Sequence, residues 1–250
     1  MIEAVVFDLD GVLVDSELLW DAARRQVANE HGGRWRQDAT AAMQGMGSSE
    51  WSAYLRDQLG VDLHEQRIVE LVVAALLDRY RQNLPLLPGA LEAVARIGHR
   101  WPLGLASSAN RPVIGEFLAL SGLADAFAVT VSSDEVPRGK PHPDVYLETC
   151  RRLGVPAGRC VAVEDSSNGI TAAVAAGMRV AAIPNRDFPP DPRVLGEVDL
   201  VVDRLYDLTV SAISRLDGGT GQGGADRVDE QEIESFPASD SHSDWAGPPV

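Results

Sequence analysis

The sequence is poor in cysteine, in basic residues and in long apolar runs. Its two cysteines, Cys150 and Cys160, fit neither a disulfide framework nor a metal-ligand spacing, so we expect both to be small buried side chains. The net charge of −15 argues against a general affinity for nucleic acid or anionic membrane. No apolar run approaches the roughly 20 residues that span a bilayer. These absences predict a cytoplasmic protein that binds neither nucleic acid nor membrane, and we expect a monomer.

The apolar residues that are present, 45% of the chain, occur in short runs that alternate with helix-like segments. Alternation of strands with helices is typical of βαβ units and a parallel sheet. The sequence therefore predicts an α/β fold with a doubly wound, Rossmann-like core. The predicted strands are residues 4–7, 103–106, 160–163 and 180–183, with weaker candidates at 128–131 and 200–202.

A long insertion separates the first predicted strand from the second. Apolar positions recur there at helical spacing, in residues 17–31, 50–59 and 65–82, which predicts a helical cap domain. The prolines of residues 84–89 favour an extended return to the core and a hinge between two domains. The predicted organisation is a core of residues 1–14 and 86–216, a helical cap of residues 15–85, and a disordered acidic tail of residues 217–250.

Two carboxylates, Asp8 and Asp10, come directly after the first predicted strand. In open α/β sheets, ligands bind at the carboxyl ends of the strands, so this position suits a catalytic pair. The alternative is a polar turn at Asp10-Gly11. Asp-x-Asp alone does not decide between the two.

Further polar residues follow later strands. Ser107 and Ser108 could offer hydroxyl and N–H groups to phosphate oxygens, although Ser108 or Asn110 could instead cap the helix that Pro112 begins. Lys140 lies in a loop that glycine and proline stiffen, where its ammonium could offset phosphoryl charge. A solvated loop lysine is the alternative.

Adjacent acids, Glu164 and Asp165, follow the strand of residues 160–163. Acids and serines before a helix also suit its N-terminal end, so capping is an alternative. Mg²⁺ is usually held by one or two carboxylates together with water and phosphate oxygens. Asp8 and Asp165 could supply those carboxylates.

Together these motifs resemble those of the haloacid dehalogenase superfamily with a helical cap inserted after the first strand. The resemblance covers approximately residues 1–213 and rests on four motifs in the expected order. They are Asp8-Leu9-Asp10-Gly11-Val12, Ser107, Lys140 within Gly-Lys-Pro-His-Pro-Asp-Val-Tyr, and Glu164-Asp165-Ser166-Ser167-Asn168-Gly169.

The resemblance implies a role for each motif residue. Asp8 would attack phosphorus to form an aspartyl-phosphate, and Asp10 would be the general acid and base, with its backbone carbonyl on Mg²⁺. Ser107 and Lys140 would hold the transferring phosphoryl group. Asp165, together with Glu164, would complete the Mg²⁺ site. Since dehalogenases usually lack the second aspartate, Asp10 favours phosphoryl transfer.

Within the superfamily, Asp15-Ser16-Glu17 and the cap resemble the branch of β-phosphoglucomutase and the sugar-phosphate phosphatases. Mutases of that branch carry an arginine where this chain has Ser48 and a histidine where it has Trp20. Both residues are therefore candidate substrate-binding positions, although Trp20 could simply pack in the core. The sequence favours a Mg²⁺-dependent phosphatase acting on a small sugar or polyol phosphate. A mutase and a non-catalytic sugar-phosphate-binding module are the alternatives.

Overall fold

The computed structural model describes residues 1–43, 46–186 and 188–218, and it is built on one six-stranded sheet. All neighbouring strands run parallel, in the order β3-β2-β1-β4-β5-β6. The doubly wound α/β prediction is thus confirmed. The strands are β1 (Ala4–Phe7), β2 (Leu103–Ser107), β3 (Val129–Ser132), β4 (Cys160–Glu164), β5 (Arg179–Ala182) and β6 (Leu200–Val201).

The central strands are apolar because both faces of the sheet are covered. All four residues of β1 are buried, and their side chains alternate between two separate apolar clusters. Val5 and Phe7 belong to one cluster, whereas Ala4 and Val6 belong to the other. Near-continuous apolar runs are typical of strands in parallel sheets.

Ten α-helices accompany these strands within the described residues, and five of them lie between β1 and β2. The first four of these five precede the return segment of residues 84–89. We call these four helices the helical insertion. They are α1 (Glu17–Glu30), α2 (Ala39–Ala42), α3 (Ser48–Asp57) and α4 (Glu65–Gln82). The remaining six are α5 (Ala90–Gly98), α6 (Arg111–Ser121), α7 (Asp144–Leu153), α8 (Ser167–Ala175), α9 (Pro192–Leu195) and α10 (Val210–Arg215). None of the helices in the described ranges is long and apolar enough to cross a membrane.

The helical insertion packs mainly through α4, which contacts α1, α3 and, beyond the insertion, α6. The chain enters and leaves it along two adjacent segments. The N–H of Asp15 donates to the carbonyl of Pro85 at 2.8 Å, and the N–H of Leu87 donates to that of Leu13 at 3.0 Å. This pairing lies where the sequence predicts a hinge, and the division into core and cap stays a prediction.

Most predicted elements agree with the structure to within about two residues. Helix α2 has no counterpart among them, because four residues are too few to show a period. The predicted acidic tail lies outside the described residues from residue 219 onward. Its first residue, Asp217, is described, and its carboxylate accepts a hydrogen bond from the N–H of Ile2.

Strand order brings the carboxyl ends of β1 and β4 side by side. From β1 the sheet continues through β2 to β3 on one side and through β4 to β6 on the other. The junction of the two halves is the switch point at which doubly wound sheets bind ligands. Asp8 follows β1 there, and Asp165 follows β4.

Gly104 on β2 provides a test of how tightly α7 packs on the sheet. A Cβ atom at residue 104 would lie 2.7 Å from Thr149 Cγ2 and 3.1 Å from Leu153 Cδ1, both on α7. We expect Gly104→Ala to lower the free energy of unfolding by about 1–3 kcal/mol through overpacking. Gly115→Ala on α6 is the control, because no atom beyond its chain neighbours and its own helix backbone lies within 4 Å of its added Cβ. It should be neutral or stabilising in urea unfolding, and equal losses for both variants would contradict the packing argument.

Candidate active site

The centre of the site is the ammonium of Lys140, which lies between two buried carboxylates. Its Nζ is 2.7 Å from Asp8 Oδ1 and 2.7 Å from Glu164 Oε1, and it also donates to the carbonyl of Ala106 at 3.1 Å. Only 4% of the Lys140 side chain is exposed. The solvated-loop alternative for Lys140 is therefore wrong.

Two further contacts fix this arrangement. Tyr146 on α7 donates its hydroxyl to Glu164 Oε1 at 2.7 Å, and its ring centroid lies 4.9 Å from Lys140 Nζ. The other Glu164 oxygen, Oε2, accepts from the backbone N–H of Asp165 at 3.0 Å and from the N–H and hydroxyl of Ser166. Both oxygens of Glu164 therefore accept hydrogen bonds, and the carboxylate fixes the position of the Lys140 ammonium.

Burial and charge shift the pKa values of these groups in different directions. Desolvation raises the pKa of Asp8 to about 7, although the ammonium of Lys140 opposes the shift. Burial also raises the pKa of Asp165, with Glu164 and Asp8 adding repulsion. For Glu164, burial acts upward, but contact with Lys140 outweighs it and lowers the pKa. In Lys140, burial acts downward, yet the two carboxylates outweigh it and raise the pKa.

Three carboxylates around one ammonium leave an excess of negative charge that suits a divalent cation. Oxygens of Asp8, Glu164 and Asp165 all lie within 4.8 Å of one another, and all three side chains are buried. Asp165 Oδ1 is buried without a hydrogen-bond partner. Carboxylate oxygens are the ligands that Mg²⁺ prefers, so the residues present fit this ion, with Asp8 and Asp165 offering the freer oxygens.

Two glycines make room for these acids. A Cβ at residue 11 would lie 1.9 Å from Asp165 Oδ2, and one at residue 169 would lie 1.7 Å from Glu164 Oε1. Gly11 also has a φ of 80°, a left-handed conformation that favours glycine. The motif glycines are therefore required by the positions of the carboxylates.

The second aspartate, Asp10, faces the helical insertion. Asp10 Oδ1 accepts a hydrogen bond from the indole Nε1 of Trp20 at 3.1 Å and another from the hydroxyl of Ser16. Asp10 also lines the cavity beside Asp8. Trp20 is 6% exposed, so it is buried as well as being a wall of the cavity.

A cavity of about 280 Å³ opens above the carboxylates. Its floor includes Asp8, Asp10, Lys140 and Asp165, and Ser108 also lines it. The helical insertion supplies the opposite wall through residues of α1, α3 and the segment before α3. These residues are Glu17, Trp20, Arg24, Met46 and Trp51.

The predicted phosphate-binding serines have different surroundings. Ser107 is fully buried and its Oγ accepts from the N–H of Ala109 at 2.9 Å, so it lies behind the cavity surface. Ser108 is half-buried and lines the cavity. Ser48 lies outside the residues that line it, and its hydroxyl donates to Asn110 Oδ1 at 3.1 Å.

The capping alternatives have mixed outcomes. Asn110 precedes α6, but its side chain makes no cap hydrogen bond and instead donates to Asp134 at 2.9 Å. Ser166 does cap α8, because its hydroxyl accepts from the N–H of Gly169 at 3.1 Å. Asp165, by contrast, lies in the acidic trio. Ser166 therefore has a structural role as a helix cap, whereas its neighbour Asp165 is a candidate metal ligand.

Sequence reasoning gave no role in the site to Ser16, Glu17, Arg24 and Tyr146, although Ser16 and Glu17 belong to the Asp15-Ser16-Glu17 segment that resembles the sugar-phosphate branch. Glu17, Trp20 and Arg24 occur at spacings of three and four along α1, which places them on one helix face. That spacing was available in the sequence. It does not say whether the face meets a cavity or the core.

Comparisons with known proteins agree with this geometry. A family model described as haloacid dehalogenase-like hydrolase matches residues 2–177. Hexitol phosphatase B of Escherichia coli strain K12 is 36% identical over 209 residues, covering 79% of this chain and 90% of that protein. Protein CbbY of Rhodobacter capsulatus is 32% identical over 204 residues, covering 74% of this chain and 86% of that protein.

A solved structure provides an independent comparison. The crystal structure of CbbY from Rhodobacter sphaeroides in complex with phosphate has a TM-score of 0.78 at 27% identity, and covers 86% of this chain and 100% of that chain. The family match spans more than half of the sequence, and the relatives match it over nearly their whole lengths. This chain therefore belongs to the haloacid dehalogenase-like hydrolases.

Proposed function

We propose that this protein is a Mg²⁺-dependent phosphatase that hydrolyses a small sugar or polyol phosphate through an aspartyl-phosphate on Asp8. The observation that carries the proposal is the 2.7 Å contact of Lys140 Nζ with Asp8 Oδ1 at the floor of a cavity. A carboxylate held beside a buried cation, and open to a ligand on its other side, is suited to attack an anionic phosphate.

In the first step, an oxygen of Asp8 attacks phosphorus, and the bond between phosphorus and the ester oxygen breaks. Asp10 donates a proton to the departing oxygen, so that an alcohol leaves. In the second step, Asp10 takes a proton from water as that water attacks phosphorus. The bond from phosphorus to Asp8 then breaks, releasing inorganic phosphate and restoring the carboxylate.

The other residues position the reacting groups. Lys140 neutralises part of the phosphoryl charge while holding Asp8, and Glu164 and Tyr146 hold Lys140. Ser108, on the cavity surface, is better placed than Ser107 to meet a phosphate oxygen directly. We assign Ser107 to shaping the loop through its contact with the N–H of Ala109.

Mg²⁺ would be held by the side chains of Asp8 and Asp165 and by the backbone carbonyl of Asp10, with Glu164 adjoining the site. The bound ion would supply positive charge that lets an anionic nucleophile approach an anionic phosphate. The unpartnered Asp165 Oδ1 supports this assignment.

The relatives support a phosphate ester of a sugar or polyol. One is named a hexitol phosphatase, and the CbbY structure was obtained with phosphate. Water is the proposed acceptor because Ser48, in place of the mutase arginine, is uncharged and bonded to Asn110. We further propose that residues 15–85 form a cap that closes over the substrate about the paired segments near Asp15 and Pro85.

Phosphate release tests the nucleophile. We expect Mg²⁺-dependent hydrolysis of p-nitrophenyl phosphate and of hexitol phosphates, and a loss of activity to background in Asp8→Asn. Asp10→Asn should lose about 10²–10⁴-fold, since general acid–base catalysis contributes that much. The exposed Asp62→Asn is the matched control and should keep full activity. Wild-type protein without turnover on a broad phosphate-ester panel would contradict the proposal, and isomerisation of a sugar phosphate without phosphate release would indicate a mutase.

Thermal unfolding tests the Mg²⁺ site apart from activity. At a Mg²⁺ concentration about 100 times the dissociation constant, binding should stabilise the wild type by about 2.7 kcal/mol. Asp165→Asn should lose most of this stabilisation, whereas Asp62→Asn should keep it. A full Mg²⁺ response in Asp165→Asn would exclude Asp165 as a ligand.

The Mg²⁺ affinity should also depend on pH. Burial raises the pKa of Asp8 to about 7 in the metal-free protein, so protons compete with Mg²⁺ as the pH falls through 7. We expect the dissociation constant, measured by titration calorimetry, to rise as the pH is lowered from 8 to 6. A dissociation constant that is unchanged over this range would show that Asp8 is already ionised without metal.

A further inference from the structure

One buried cation in the cavity has no part in the proposed chemistry. Arg24, on α1, is 6% exposed, and it lines the cavity whose floor includes Lys140. Its Nε is buried without a hydrogen-bond partner, although the negative charges of Glu17, Asp21 and Asp10 act on the guanidinium and oppose the lowering of its pKa by burial. Burying a charged group without hydrogen bonds is costly, so this arrangement calls for a ligand.

Two indole rings hold the guanidinium in place. The guanidinium carbon of Arg24 lies 5.3 Å from the ring centroid of Trp20 and 5.6 Å from that of Trp51, both within the range of cation–π attraction. Contacts with ring faces restrain the side chain but use none of its N–H donors. The two rings therefore leave the N–H donors of the guanidinium available to a hydrogen-bond acceptor.

An acceptor of opposite charge accompanies Arg24 on the same helix face. Glu17 also lines the cavity, two turns earlier on α1. Arg24 and Glu17 together carry no net charge and present N–H donors and carboxylate acceptors to the same space. Trp20 lies between them in the sequence and directs its Nε1 to Asp10.

We propose that Arg24 and Glu17 bind the hydroxyl groups on the carbon chain of the phosphate ester and thereby set the preference for polyhydroxylated substrates. This inference rests on the proposed phosphatase function. A hydroxyl group can accept a hydrogen bond from Arg24 and donate one to Glu17, so hydroxyl groups can satisfy both members of the pair.

A second anionic group on the substrate fits the same wall less well. It would pair with Arg24 but would also meet the carboxylates of Glu17 and Asp10. Like charges repel more strongly at a site partly shielded from bulk water than in water itself. A purely apolar chain would leave the Arg24 donors unsatisfied. The hydroxylated chain is the one class that uses both members of the pair.

The test compares two substrates of equal chain length, sorbitol 6-phosphate and n-hexyl phosphate. In Arg24→Met, which keeps much of the side-chain volume, kcat/KM for sorbitol 6-phosphate should fall about 10–100-fold. The loss on n-hexyl phosphate should be much smaller, because that chain makes no hydrogen bond to lose. Glu17→Gln should likewise lower the ratio of kcat/KM for sorbitol 6-phosphate to kcat/KM for n-hexyl phosphate. Arg25→Met, an exposed neighbour on α1, is the matched control and should leave the ratio unchanged.

Each outcome decides between distinct explanations. If the wild type hydrolyses phosphate esters but Arg24→Met loses equally on both substrates, the inference is wrong while the proposed function stands. A larger loss on 6-phosphogluconate, which carries a terminal carboxylate, than on sorbitol 6-phosphate would overturn it in favour of an anion site. Should Arg24→Met fail to fold by circular dichroism, Arg24→Lys keeps the charge without the guanidinium fork and should show the same selective loss.

Discussion

The arrangement of the site depends on one ammonium buried between two carboxylates. Lys140 contacts Asp8 after β1 and Glu164 at the end of β4, and Tyr146 connects this contact to α7. Removal of the Lys140 ammonium would leave both carboxylates buried and uncompensated, which is strongly destabilising. Two strands, a loop and a helix must therefore be in place together before the proposed nucleophile is positioned.

The ammonium of Lys140 helps Asp8, Glu164 and Asp165 to lie close together, because it balances part of their negative charge. Lys140 balances one of the three carboxylates, and burial raises the pKa values of Asp8 and Asp165. The site is thus electrostatically incomplete in isolation. A divalent cation would bring the positive charge that the three carboxylates lack. Gly11 leaves the space that the Asp165 carboxylate occupies.

Much of the fold could be predicted because the signals are local. Apolar runs and turn residues identify the six strands, and helical spacing identifies α1, α3 and α4. The meeting of Asp8 with Lys140, 132 residues apart, could not be derived from spacing and came only from the resemblance. Arg24 was missed for a different reason. A charged residue at a core-like helix position does not show whether it faces a cavity until tertiary packing is known.

The paired segments at Leu13–Leu87 and Asp15–Pro85 have a consequence for how such a protein can change. Since the chain leaves the sheet and returns to it at neighbouring points, the intervening helices can be lengthened, shortened or replaced without rethreading any strand. With the proposed roles of Asp8 and Arg24, reaction chemistry and substrate choice would be encoded in separate stretches of the gene. New selectivity can arise by altering one stretch while the buried ammonium and its carboxylates remain as they are.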